Sequence, residues 1–187
     1  MSKGSFFQRK SAVLSKLDKS SVGKWDEKII SLCKKINSKE DFYTTSSCSG
    51  RVVLMLDKEK KSSNLFLKVW HNSVSFVELK SFLKEISGKD LIKFKVEPPI
   101  LHVACKNLES ASKLLEKAKS IGWKRSGINA LGKNIILELN STERLEFPII
   151  KDGRMLVGDE FLKLIVKQAN EKLKRGWLKI EKLKKIG

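Results

Sequence analysis

The run "FYTTSSCSGR", residues 42–51, sets Ser46, Ser47, Cys48, Ser49, Gly50 and Arg51 side by side. Hydroxyls donate and accept hydrogen bonds, a thiolate is a nucleophile, and a guanidinium presents a planar fork of donors. Gly50 lets the backbone take a tight conformation beside a ligand. Such a set suits a polar or anionic ligand, and the alternative is a serine-rich turn that caps a strand. Only two residues separate Cys48 from Arg51, too few to wrap a phosphate in backbone N–H groups as a cysteine phosphatase does.

Two further places carry chemistry-bearing residues. His71 shares strand parity with Leu65, Leu67 and Val69, and His102 with Ile100 and Ala104. A histidine among apolar neighbours is either a satisfied core residue or a proton acceptor that titrates near neutrality. The segment "WKRSGI" again places basic residues and a hydroxyl before a glycine: Trp123, Lys124, Arg125, Ser126, Gly127. Trp70 and Trp123 are either core side chains or surfaces on which a base can stack.

Several chemistries are not written in this chain. The eleven glycines form neither GxGxxG nor GxxxxGK[ST], so no Rossmann-type phosphate loop is expected. Cys33, Cys48 and Cys105 make no CxxC pair and the two histidines have no ligand spacing, so no metal site is expected. No apolar stretch approaches the ~18 residues of a membrane span, and the start of the chain is too polar for a signal peptide. Three cysteines cannot all pair, which fits a reducing, cytoplasmic location. With 39 Lys and Arg against 21 acids, a formal net charge of +18 attracts polyanions; nucleic acid leads as partner, ahead of anionic lipid.

The elements that would position these residues follow from apolar spacing. Phe6, Val13, Leu14 and Leu17 mark one amphipathic helix, and Trp25, Ile29, Leu32, Cys33 and Ile36 a second, with "DKSSVG" as cap and turn between them. "GRVVLML" and "LFLKVWH" read as strands joined by a polar hairpin loop. Ser75 with Glu78 is a capping box, followed by a buried stripe from Phe76 to Ile86 that Gly88 ends. "LIKFKV" and "ILHVACK" are expected to pair around "EPP". A helix from Leu108 to Ile121 stops at Gly122, "KNIILEL" is a strand, and a long basic helix runs from Asp159 to the end, with Gly176 as a place for a bend. The expected fold is α+β in a single domain over residues 1–187. A mixed or antiparallel sheet is flanked by helices, with a long C-terminal helix and no Rossmann wind.

In order along the chain, "DKSSVGKWD", "YTTSSCSGR", "WH", "EPPILHVACKNLESASKLLEKAKSIGWKRSGI", "LEFP" and "ANEKL" are similar to the tRNA wybutosine-synthesising methyltransferase family, the third enzyme named in that pathway. The likeness runs from about Asp18 to Leu183. It implies S-adenosylmethionine as cofactor and methylation of ring nitrogen N4 of the tricyclic wyosine-type base beside the anticodon of tRNA-Phe. It also implies that Ser46, Cys48, Ser49, Gly50, His102, Ser126 and Gly127 contact the cofactor. His71, Ser47 and Arg51 are the expected catalytic groups, with His71 as proton acceptor. Trp70, Trp123, Lys124 and Arg125 are expected to meet the tRNA anticodon stem-loop. Competing expectations are a non-catalytic RNA-binding module and a phosphate-ester hydrolase acting through Cys48.

Overall fold

The computed structural model describes residues 3–15, 26–58, 65–132 and 134–186. Among them the chain forms α1 (Lys3–Leu14), α2 (Glu27–Asn37), β1 (Phe42–Cys48), β2 (Arg51–Leu56), β3 (Phe66–Trp70), α3 (Phe76–Glu85), β4 (Ile92–Glu97) and β5 (Ile100–Cys105). Then follow α4 (Leu108–Ser120), β6 (Gly127–Leu131), β7 (Ile135–Asn140), β8 (Leu145–Lys151), β9 (Arg154–Met155) and α5 (Asp159–Ile186). The architecture is α+β, as expected. Leu17, "DKSSVG", Trp25 and most of the expected hairpin loop lie outside the described residues. No described helix is long and apolar enough to cross a membrane.

The chain divides into two compact units, one of residues 1–49, 99–142 and 177–187, the other of residues 50–98 and 143–176. The first unit is built on an antiparallel sheet in the order β1-β5-β7-β6. Strand side chains alternate between faces, so Leu101, Val103 and Cys105 of β5 share one face with Leu137 and Leu139 of β7. Against that face pack Ile29, Leu32, Cys33 and Ile36 of α2, Ala111, Leu114 and Ala118 of α4, and Ile180 and Leu183 of α5. Gly122 (φ 103°) ends the α4 segment in the left-handed region, as glycine allows. On the opposite face α1 lays Phe6 against Tyr43 and Ala104 and covers one end of the sheet.

The second unit holds an antiparallel sheet in the order β3-β2-β4-β8-β9. Its core includes Val52, Val53 and Leu54 of β2 and Phe94 of β4, whose ring stacks on Phe147 at 5.4 Å. Ser75 caps α3 by accepting from the Glu78 amide, and the Asn170 side chain both accepts from and donates to the Val74 backbone. The helix leaves its regular path at Ile86, two residues before Gly88.

Two expectations are corrected. Strands β4 and β5 do not pair around "EPP": β4 pairs with β2 and β8, and β5 with β1 and β7. Pro98 and Pro99 have no N–H for a hairpin ladder, so the chain leaves one sheet there and enters another. The run "FYTTSSC" is itself strand β1 rather than a turn before one. Strands β6, β8 and β9 come in addition, while α5 runs continuously through Gly176.

Burial pushes the thiol of Cys33 up to about 11 and that of Cys105 up to about 12, from an ordinary 9.0. Below pH 9 both thiols are protonated whether the chain is folded or not. Above it the unfolded chain ionises first, so stability falls as pH rises from 9 towards 12, on the order of 3 kcal/mol per thiol at the far end. Denaturation midpoints measured from pH 8 to 11 are expected to drop more steeply for the parent than for the Cys33→Ala/Cys105→Ala variant. Half-buried Cys48 is expected to be the one thiol among the three that is alkylated before unfolding.

Candidate active site

The first sheet carries a polar row on the face that α1 leaves open. Ser46 of β1 stands opposite His102 of β5, His102 opposite Glu138 of β7, and Glu138 opposite Gly127 of β6. Directly paired residues share a face, so these side chains meet. Ser46 Oγ lies 2.9 Å from His102 Nδ1, and His102 Nε2 lies 3.0 Å from Glu138 Oε2. The His102 side chain is 33% exposed and that of Glu138 24%, so part of the imidazole is open to a ligand.

Bulges in both outer strands set this row. The β1–β5 register shifts between Thr44 and Ser46, so Thr45 is the extra residue and Ser46, not Thr45, faces His102. The β6–β7 register shifts between Ile128 and Ala130, which frees Asn129 to donate from Nδ2 to Glu138 Oε2 at 2.6 Å. Asn140, two residues along β7, donates to Glu138 Oε1 at 3.2 Å. Burial raises the Glu138 carboxyl's proton affinity, but hydrogen bonds from His102, Asn140 and Asn129 outweigh it and hold the group below the ordinary carboxylate range.

The expected site residues divide. Ser46, His102 and Gly127 come together in the row, and Cys48 continues the same face, paired with Ile100 beside Asn140. An added Cβ at Gly127 would meet nothing within 4 Å, so the space over the row is open there. Ser47 is turned the other way: it pairs with Leu101 on the core face and its hydroxyl bonds the Cys33 thiol. The Ser49 amide donates to Asp26 at 2.8 Å, while its buried Oγ has no partner among the described residues. Ser126 is buried, donating to the Trp123 carbonyl at 2.6 Å and accepting from the Asn140 amide at 2.9 Å. Its hydroxyl is consumed in anchoring β7 and is not offered to a cofactor. Trp123 is fully buried with its indole N–H on the Lys179 carbonyl, which removes it as a stacking surface; Lys124 and Arg125 beside it are exposed.

In the second unit Gly50 takes φ 97°, the left-handed conformation its type was expected to supply. Arg51 Nε donates to Glu97 Oε2 at 2.6 Å, and the guanidinium lies 4.9 Å from the centre of the Phe66 ring. Trp70 is buried, its indole N–H donating to Glu78, so it too is a structural side chain and not a stacking surface. His71 is half-buried in the bend after β3 rather than on the strand face with Leu67 and Val69.

Sequence reasoning missed Glu138, Asn129 and Asn140. The alternation in "IILELN" does put Glu138 on the face away from Leu137 and Leu139, and that parity is the one signal that pointed to it. A second feature of the first unit is a cavity of about 280 Å³ beside Phe42, rimmed by Lys39, Lys106, Lys113 and Lys117. Lys106 is paired with Asp41 and Lys113 with Glu109. Burial, then repulsion from Lys117 and Lys35, lowers the Lys39 ammonium below its ordinary value.

Known proteins share this sequence and fold. The family model for Methyltransferase TYW3 matches residues 8–186. A protein of Thermococcus sibiricus named tRNA(Phe) 7-((3-amino-3-carboxypropyl)-4-demethylwyosine(37)-N(4))-methyltransferase is 39% identical over 179 residues, 94% of this chain and 90% of its own length. One of the same name from Archaeoglobus fulgidus is 42% identical over 164 residues, 86% of this chain and 81% of its own. A solved Pyrococcus horikoshii structure superposes with TM-score 0.89 at 38% identity, covering 98% of this chain and 94% of that one. A hypothetical protein from Aeropyrum pernix gives 0.73 at 25% identity, covering 83% and 92%. With the family model spanning nearly every residue and relatives matched over most of their own length, the chain belongs to the Methyltransferase TYW3 family.

Proposed function

We propose that this chain transfers a methyl group from S-adenosylmethionine to ring nitrogen N4 of the tricyclic wyosine-type base at position 37 of tRNA(Phe), the reaction its relatives are named for. The observation that carries the reading is the half-exposed His102 imidazole, fixed between Ser46 and Glu138 in a chain of this family. Replacing hydrogen by methyl on a ring nitrogen requires that a proton leave, and a histidine held by a carboxylate is suited to receive it. In this reading His102 takes the role of proton acceptor.

When bound, S-adenosylmethionine supplies an electrophilic methyl group on a sulfonium. Two buried polar atoms of the first unit without partners among the described residues, Asn140 Oδ1 and Ser49 Oγ, fit it. Asn140 Oδ1 accepts from an ammonium or amino group, and the Ser49 hydroxyl donates to a carboxylate. For the RNA, Lys39 and Lys117 at the rim of the cavity gain from a phosphate that relieves their mutual repulsion, and exposed Lys124 and Arg125 add phosphate contacts. The reaction belongs in the cytoplasm, where tRNA is modified.

Incubation with methyl-labelled S-adenosylmethionine and tRNA(Phe) carrying the unmethylated tricyclic base, followed by digestion, is expected to place label on N4 of that nucleoside. Label on another nucleoside, or RNA binding with no uptake of S-adenosylmethionine, would turn the reading towards a different target or a plain RNA-binding module. RNA affinity is expected to fall with salt. In the Lys39→Gln/Lys117→Gln variant the slope of log K against log salt should be shallower by about 0.7 per lysine removed from single-stranded contacts. An unchanged slope would take the cavity out of the RNA interface.

A further inference from the structure

The polar row has a direction, and it follows from donor and acceptor counting. Glu138 is held ionised by the amide groups of Asn129 and Asn140, and an ionised carboxylate only accepts. At 3.0 Å from Oε2, His102 Nε2 must therefore carry a hydrogen. In the neutral ring that leaves Nδ1 bare, so at 2.9 Å the Ser46 hydroxyl donates to it. The Ser46 oxygen then has lone pairs left to accept a proton, backed by a base.

We propose that Ser46, His102 and Glu138 form a proton relay in which Ser46 touches the target ring nitrogen, His102 is the terminal acceptor, and Glu138 is the positioning residue that fixes the ring's tautomer. This rests on the methyltransferase reading above. As the N–C bond to the methyl forms, the methyl's bond to the sulfonium sulfur breaks and leaves a neutral thioether, while the ring N–H breaks and its proton goes to Ser46 Oγ. The original Oγ–H breaks and that proton goes to His102 Nδ1. The base ends neutral and methylated, and Ser46 ends as it began. The positive charge lost from the sulfonium is the charge gained by the imidazolium, beside the Glu138 carboxylate.

Asn129 and Asn140 belong to the same device. Each gives Glu138 a donor that is not the histidine, which keeps the carboxylate from taking a proton and becoming a donor to Nε2. Ser126 accepts from the Asn140 backbone N–H and so anchors the end of β7 from which that side chain projects. The row thus draws on all four strands of the sheet for one imidazole.

The test combines a spectrum with a rate. Nitrogen-15 NMR of histidine-labelled protein, with His102→Asn to assign the two imidazoles, is expected to show the neutral His102 ring with its hydrogen on Nε2. Ser46→Ala should keep that tautomer, whereas Glu138→Gln should mix it. In single-turnover methylation of the tRNA above, Ser46→Ala and His102→Asn are expected to lose about 100-fold or more, with Ser46→Thr recovering most of the rate. Glu138→Gln should lose about tenfold, and S-adenosylmethionine affinity should stay within about twofold throughout. A parent ring protonated on Nδ1, or a tautomer unmoved by Glu138→Gln, overturns the relay whatever the rates. Variants that keep the parent rate, or a Ser46→Ala protein that loses donor affinity instead of rate, overturn it while leaving the methyltransferase reading intact. A parent that methylates no such tRNA overturns both.

Discussion

The register of β5 against its two neighbours is the constraint on which the rest of the first unit depends. Side chains alternate with a period of two, so a slip of one residue along β1 or β7 would exchange the faces of every residue in the strand. In the observed register Leu101, Val103, Leu137 and Leu139 are buried against helices, and His102 and Glu138 fall opposite one another on the other side. The apolar face fixes the pairing because exposing it would forgo roughly 25 cal/mol for each Å² of apolar surface. The polar row is carried along as a consequence. Core burial supplies the energy that aligns the row, and the row itself need not supply any.

The two bulges refine this arrangement where the central strand cannot. Counting by twos from Tyr43, which packs on Phe6, would put Thr45 and Ser47 on the open face. The extra residue at Thr45 exchanges them for Ser46 and Cys48 and sends Ser47 inward to Cys33. At the other edge the shift at Asn129 turns an amide towards Glu138 that regular pairing would have pointed elsewhere. A half-exposed histidine–carboxylate pair contributes about 0–1 kcal/mol to stability, too little to explain two bulges and two further amide donors. Their effect is on the orientation of a single ring.

The helices were legible in the amino-acid sequence because their signals are local. The Ser75 cap, the glycine after α4 and the apolar stripe of α5 each decide a structure within a few residues. The sheets were less so. Strand β1 is written in hydroxyl residues, several of them on the partly exposed face of the sheet, and β8 contains Pro148, which argues against a central strand. Pro148 is tolerated because β9 reaches only Ile150 and Lys151, so β8 is an edge at that point. Residue type and strand parity mark His102 and Ser46, but which strands neighbour one another is a long-range property. That is why Glu138, a carboxylate in an ordinary-looking strand, passed unnoticed, and why β4 and β5 were expected in one hairpin. The tryptophans show the opposite error: Trp70 and Trp123 have the chemistry of a stacking surface but are spent on the core, their N–H groups on Glu78 and Lys179.

The basic excess of the chain and the acid at the centre of the row act on different length scales in a protein of net charge +18. Field from scattered lysines decays over about 8 Å at physiological ionic strength, so it governs capture of a polyanion and is weakened by salt. The Glu138 contacts are hydrogen bonds of 2.6–3.2 Å in a partly buried setting, where mobile ions do not intervene. Their directionality also does what a diffuse positive field cannot: it dictates which nitrogen of His102 carries the hydrogen. The lysines that attract a polyanion and the groups that hold His102 are thus separate, and the sheet register is what builds the second into one face of a strongly basic chain.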